Sequence, residues 1–226
     1  SDPFNRWQAV QTISMRLLVD NVAALRAGRT MRIDDQLIGA LASIISDAVL
    51  EPAFIALALI PPGEGDIARE IGRDIDPDLI FQARSAFRSA LGERLRAPLT
   101  TIYDQMHVPG GYSPDATSAG RRALRNVAAD LLAATGQPAD IARASRQYET
   151  ADNMTDRMAA LGILCLHDTP KRLQALDNFY ARYASDALVV DKWFSLQATI
   201  PRPETLEKIR NLTTHPAFSF ANPNRI

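Results

Sequence analysis

Apolar side chains recur along this chain at helical intervals almost from its first residue. Trp7, Val10, Ile13, Leu17, Leu18, Val22 and Leu25 fall three or four apart, so a helix running from Phe4 gathers them on one side. Asp2 is placed to cap that helix, Pro3 suits its first turn, and Gly28 predicts its end. The same grammar repeats. Asp34 or Asp35 opens a helix carrying Leu37, Ile38, Leu41, Ile44, Ile45 and Val49, and Pro52 starts a short apolar one that stops at Pro61-Pro62. Asp76-Pro77 caps a long helix with the stripe Ile80, Ala83, Phe87, Leu91, Leu95, Leu99, Ile102 and Met106, kinked at Pro98 and running nearly to His107.

Beyond the turn residues Pro109-Gly110-Gly111-Tyr112-Ser113-Pro114, helices are marked by Leu124, Val127 and Leu131, by Met154, Met158, Leu161 and Leu164, and by Leu173, Leu176 and Tyr180. Two more follow around Trp193 and Leu206. No period-2 run of β-branched residues competes, and Leu188-Val189-Val190 is too short for a strand. The pattern predicts an all-α fold. Short connections make consecutive helices antiparallel neighbours, giving irregular stacked helical hairpins in a superhelical array of the HEAT/ARM kind. No Gly/Ser-rich linker divides the chain, so residues 1–226 are expected to form a single helical domain.

Composition narrows the function more than the fold. Apolar residues are 46% and charged residues 23%, a globular balance. With 25 Lys and Arg against 26 Asp and Glu, no global positive field exists, so neither nucleic acid nor an anionic membrane is an expected partner. The longest greasy stretch, Phe54 to Ile60, is too short to span a bilayer. A single cysteine, Cys165, forbids an intrachain disulfide and fits the cytoplasm. The start has neither the basic region nor the apolar core of a signal peptide and no initiator Met, and the end stops on Asn222-Pro223-Asn224-Arg225-Ile226; both ends read as cut.

Candidate chemistry is sparse. A hydrolytic zinc site on a helix needs two imidazoles four apart with a further ligand and a base nearby. His107, His167 and His215 are far apart in sequence, and none lies in a His-Glu-x-x-His pattern. Cys165 and His167 invite a nucleophile reading, but side chains two apart on one helix diverge, which favours a buried structural thiol. His215 precedes Pro216, Phe218 and Phe220 in a segment that resembles a docking turn, where it is expected as a surface or cap residue. Gly110-Gly111 and Pro62-Gly63-Glu64-Gly65 lack the spacing of a phosphate loop and read as turns. Arg121, Arg122 and Arg125 form a basic edge able to meet a carboxylate or phosphate, with a solvated helix face the better expectation. Trp193 and Phe194 read as core rather than as a recognition patch.

Several of these stretches carry a family resemblance. Ser1-Asp2-Pro3-Phe4-Asn5-Arg6-Trp7-Gln8, Pro61-Pro62-Gly63-Glu64-Gly65-Asp66-Ile67-Ala68, Arg122-Ala123-Leu124-Arg125-Asn126, Ala151-Asp152-Asn153-Met154-Thr155-Asp156-Arg157, Asp191-Lys192-Trp193-Phe194-Ser195-Leu196-Gln197-Ala198 and the run from His215 to Arg225 stand in the order found in one family. The chain resembles part of the C-terminal helical domain of zinc aminopeptidases of the bacterial aminopeptidase N type. The resemblance implies a parent enzyme that removes N-terminal residues from peptides with one zinc ion and an activated water. It also implies that the zinc motif His-Glu-x-x-His and the amine-binding Gly-Ala-Met-Glu-Asn lie elsewhere. Neither occurs here, so no residue of this chain is assigned a catalytic or metal-binding role and no cofactor is expected in it.

By the same resemblance, the domain closes over the catalytic part and walls a chamber for short peptides. Its partners are then its own catalytic and β domains, and Asn222, Asn224 and Arg225 are candidates for the chamber edge. The expectation is therefore a chain that is no enzyme by itself. The alternative is an independent helical scaffold that binds a protein or peptide on a concave face.

Overall fold

Five of the twelve described helices start on a short oxygen-bearing side chain that accepts the first exposed N–H groups. Asp34 accepts from Gln36 and Leu37, Asp76 from Asp78 and Leu79, Asp115 from Ser118, Asn153 from Asp156, and Asp186 from Leu188 and Val189. The computed structural model describes residues 2–221, and among them there are helices and turns but no strand. The helices are α1 (Pro3–Arg26), α2 (Asp35–Ile45), α3 (Pro52–Leu59), α4 (Glu64–Ile71), α5 (Pro77–Arg94) and α6 (Arg96–Gln105). They continue as α7 (Ala116–Ala133), α8 (Pro138–Thr150), α9 (Met154–Leu166), α10 (Pro170–Tyr183), α11 (Ala187–Ala198) and α12 (Thr205–Leu212). The all-α class read from periodicity is the one observed.

The differences from the sequence reading are local. The expected long helix from Pro77 breaks at Leu95, whose ψ of 17 takes it out of the helix, and α6 restarts at Arg96. Pro98 explains the position, because its ring crowds the carbonyl four residues earlier, that of Arg94, and it has no N–H to offer. The glycine-rich run read as a turn instead starts α4, with Gly63 as its N-cap and Glu64 and Asp66 in its first turn, where negative charge suits the helix dipole. Helix α8 has too few apolar residues to show in the pattern. Val49, placed on the second helix, lies beyond its end and is 90% exposed. Asp2 does stand at the N-cap of α1, but its side chain makes no capping bond. Gly28 has φ 65 and closes α1 as expected.

The helices group into two compact units, Ser1–Asp140 and Ile141–Ile226, with α8 spanning the boundary. In the first unit α7 packs on α3, α5 and α6, while α1 packs on α2, α3, α4 and α5. Leu18, Leu41, Leu59, Ile67, Phe87, Leu91, Leu99, Leu124 and Leu131 fill the space between them. Polar side chains fix the connections. Asn21 is buried on α1 and both donates to the Arg32 carbonyl (3.0 Å) and accepts from its N–H (2.9 Å), pinning the approach to α2. Arg88 on α5 meets Asp130 on α7 at 2.5 Å, and Arg96 on α6 meets the buried Asp140 at 2.9 Å while also bonding Thr135.

In the second unit α9, α10 and α11 pack against one another and α12 packs on α11. Leu161, Leu164, Leu176, Phe179 and Val190 form its core. Trp193 is buried there and donates its indole N–H to the Leu176 carbonyl at 2.9 Å, as its helical spacing predicted for a core residue.

Candidate functional site

The titratable groups singled out by sequence do not assemble. His107 is exposed at the end of α6 and its carbonyl accepts from Arg121. His167 is the C-cap residue of α9, its N–H bonded to Leu164. His215 is not a surface residue. It is half-buried against Tyr180, Trp193 and Phe194, with ring centroids 4.9, 5.4 and 5.6 Å away, and its Nδ1 accepts the Ala217 N–H at 3.1 Å. Phe218 and Phe220 extend this nest, each ring set edge-on to the one before it. The expected docking turn is thus an internal aromatic clasp up to Phe218, with Phe220 left largely exposed.

Cys165 is 3% exposed, and burial pushes its thiol up to about 11. The nucleophilic form of a cysteine is the thiolate, so this group stays protonated and inert near neutrality. Among the described residues, no three His, Cys, Asp or Glu side chains come together in a way that could hold a metal ion. A zinc ion therefore has no fitting donor set there. No described helix is long and apolar enough to cross a membrane.

The basic edge on α7 is engaged by backbone carbonyls, and of its three arginines Arg122 is buried while Arg121 and Arg125 stay partly exposed. Arg122 is 4% exposed, donates to the Ser113 carbonyl at 2.6 Å and stacks over the Tyr112 ring at 4.8 Å. Arg121 donates to the carbonyls of Gln105 and His107, and Arg125 donates to that of Tyr103 while lying over its ring at 4.2 Å. Three guanidinium groups thus satisfy carbonyls in the last turn of α6 and in the following loop, groups that no intrahelical partner can reach. Arg84 on α5 acts similarly on the Pro62 carbonyl, and its burial, together with neighbouring Arg88, lowers its pKa.

A hollow in the second unit was not visible in sequence. A cavity of about 420 Å³ lies among α8, α9 and α10, lined by Tyr148, Glu149, Arg157, Lys171, Asn178 and Arg182 among others. Tyr148 donates to the Ala175 carbonyl at 2.9 Å and lies 3.0 Å from Oδ1 of Asn178; burial raises its pKa. The segment from Ala151 to Arg157 supports one wall. Asn153 caps α9 and donates back to the Asp156 carboxylate, Gln147 donates to the Asp156 carbonyl, and Arg157 donates to the Ala151 carbonyl. Asn222, Asn224 and Arg225, the residues named for a chamber edge, lie outside the described residues.

Comparison with known proteins covers the whole chain. Residues 1–226 match the family described as a domain of unknown function (DUF3458_C) with ARM repeats. The sequence is 36% identical over 228 residues to aminopeptidase N of Caulobacter vibrioides, covering 100% of this chain and 26% of that protein. It is 31% identical over 223 residues to aminopeptidase N of Escherichia coli, covering 99% of this chain and 25% of that protein. The chain thus spans about a quarter of the length of these relatives. A crystal structure of Legionella pneumophila aminopeptidase A in complex with aspartic acid matches with a TM-score of 0.85 at 23% identity, over 100% of this chain and 27% of that one. At that identity the likeness speaks to the fold.

Proposed function

This chain belongs to the DUF3458_C ARM-repeat family and corresponds to the C-terminal domain region of bacterial aminopeptidase N, and we propose that it is the non-catalytic helical part of a zinc-dependent aminopeptidase. In the intact protein it caps the active site and walls a chamber that admits short peptides, working against its own catalytic and β domains. The observation that carries this reading is the family match over all of residues 1–226, joined to a span of only about a quarter of each relative. That match, which runs through both compact units, also supports treating 1–226 as one domain. The single buried thiol is consistent with the cytoplasm as its compartment.

The parent's one zinc ion and its activated water belong, on this reading, to a part of the protein outside this chain, and nothing here is assigned a step through them. The purified chain should release no aniline from alanyl or leucyl anilides and should bring down no stoichiometric zinc in elemental analysis. Anilide hydrolysis that a chelator abolishes would refute the proposal. Asn222, Asn224 and Arg225 are carried as chamber-edge residues on the resemblance alone. In the complete peptidase, Arg225→Ala should then raise KM for short peptides while leaving kcat unchanged, the pattern of lost binding that is equal in ground and transition states.

A further inference from the structure

The cavity among α8, α9 and α10 carries more positive charge than its own acid neutralises. Arg157, Lys171 and Arg182 line it, and Glu149 is its only carboxylate. Glu149 is already engaged: the Ser145 hydroxyl donates to it at 3.0 Å and the Lys171 ammonium stands 3.7 Å away. Arg157 is 6% exposed, and its Nε meets no acceptor. A guanidinium keeps its charge at any ordinary pH, and leaving a buried donor unmet is costly unless a bound group supplies the acceptor. Arg182, at the exposed rim, has no carboxylate or other acceptor of its own among the described residues. The fields of both arginines reach the Tyr148 phenol.

Size and lining select among anions. About 420 Å³ falls in the range of small-molecule sites and is far larger than an inorganic ion needs. A planar guanidinium fork matches a carboxylate. Glu149, together with the amide oxygen of Asn178, would repel a dense multivalent anion but would accept hydrogen bonds from a ligand's own N–H groups. We propose that this cavity binds a small organic carboxylate that also carries N–H donors, the chemistry of an amino acid or a peptide C-terminus, with its carboxylate on Arg157 and Arg182. The site is independent of the peptidase reading, because every group it uses lies in this chain.

Amide NMR shifts of the 226-residue chain, followed at constant ionic strength, provide the test. Glycylglycine is the probe, glycylglycinamide is the control lacking only the carboxylate, and inorganic phosphate is the competing anion. Glycylglycine should give saturable shifts at Glu149, Gln174 and Asn178 and bind about tenfold more tightly than either comparison compound, as expected of a charge-assisted bidentate contact. Arg182→Gln, an exposed change that leaves the core untouched, should weaken that binding about tenfold, and Arg210→Gln on α12 should not. Three results would each overturn the proposal: no saturable shift, equal binding of the amide or of phosphate, or indifference to Arg182→Gln.

Discussion

Individual residues in this chain are decided by what stands next to them, and two glycines make the point. Gly92, inside α5, faces α7 so closely that an added Cβ would meet the Leu131 carbonyl oxygen at 2.1 Å and the Thr135 methyl at 2.8 Å. Gly39, inside α2, has nothing within 4 Å. A Gly→Ala change in a helix ordinarily stabilises by about 0.5–1 kcal/mol, so Gly39→Ala should raise the unfolding free energy by that amount, seen as a higher urea midpoint at unchanged slope. Gly92→Ala should instead lose about 1–3 kcal/mol by overpacking, seen as a lower midpoint at unchanged slope. Cys165 supplies a pH-dependent prediction. Its thiol pKa is raised from 9.0 to about 11 by burial. The stability tied to its neutral form is therefore fully present below pH 9 and is lost as pH rises to about 11, because the unfolded chain ionises first. Comparing the native chain with Cys165→Ala across that window should show the native chain losing about 2–3 kcal/mol more. A thiol reagent at pH 7 should label Cys165 only after denaturation.

At the scale of elements, helix ends explain more than helix interiors. The break between α5 and α6 follows from one proline, and the loop after α6 is held by Arg121 and Arg122 of α7. Arg122→Ala removes a buried donor from the Ser113 carbonyl and a cation from the Tyr112 face, which should cost about 2–4 kcal/mol. Limited proteolysis should then cut within residues 107–115, where the native chain resists. The cap at α11 offers a milder comparison. Asp186→Ala frees the N–H groups of Leu188 and Val189 and should cost about 1 kcal/mol without opening that loop.

At the scale of the whole molecule, a family match across every residue coexists with large apolar side chains left in water. Val49 is 90% exposed, Leu188 73% and Leu57 57%. The proposed docking against other parts of a peptidase would cover some of these side chains. The chain should accordingly enhance the emission of an apolar dye while still unfolding cooperatively, and Leu57→Ser with Leu188→Ser should reduce that emission without lowering stability. Sequence by itself determined the all-α class, the starts of α1, α2, α3 and α5, and the family, because period, capping side chains and ordered motifs are local signals carried by neighbouring residues. It also marked Trp193 as core. Tertiary structure alone decided that Arg122 is buried and that Arg121, Arg122 and Arg125 donate to carbonyls of α6 and the loop after it, that α8 forms around Ala144 and Tyr148, and that His215 sits in an aromatic nest. It alone brought Arg157, Lys171 and Arg182 around one cavity. Those outcomes depend on which carbonyl, ring or charge from a distant segment arrives beside a side chain, and no spacing within one segment encodes that.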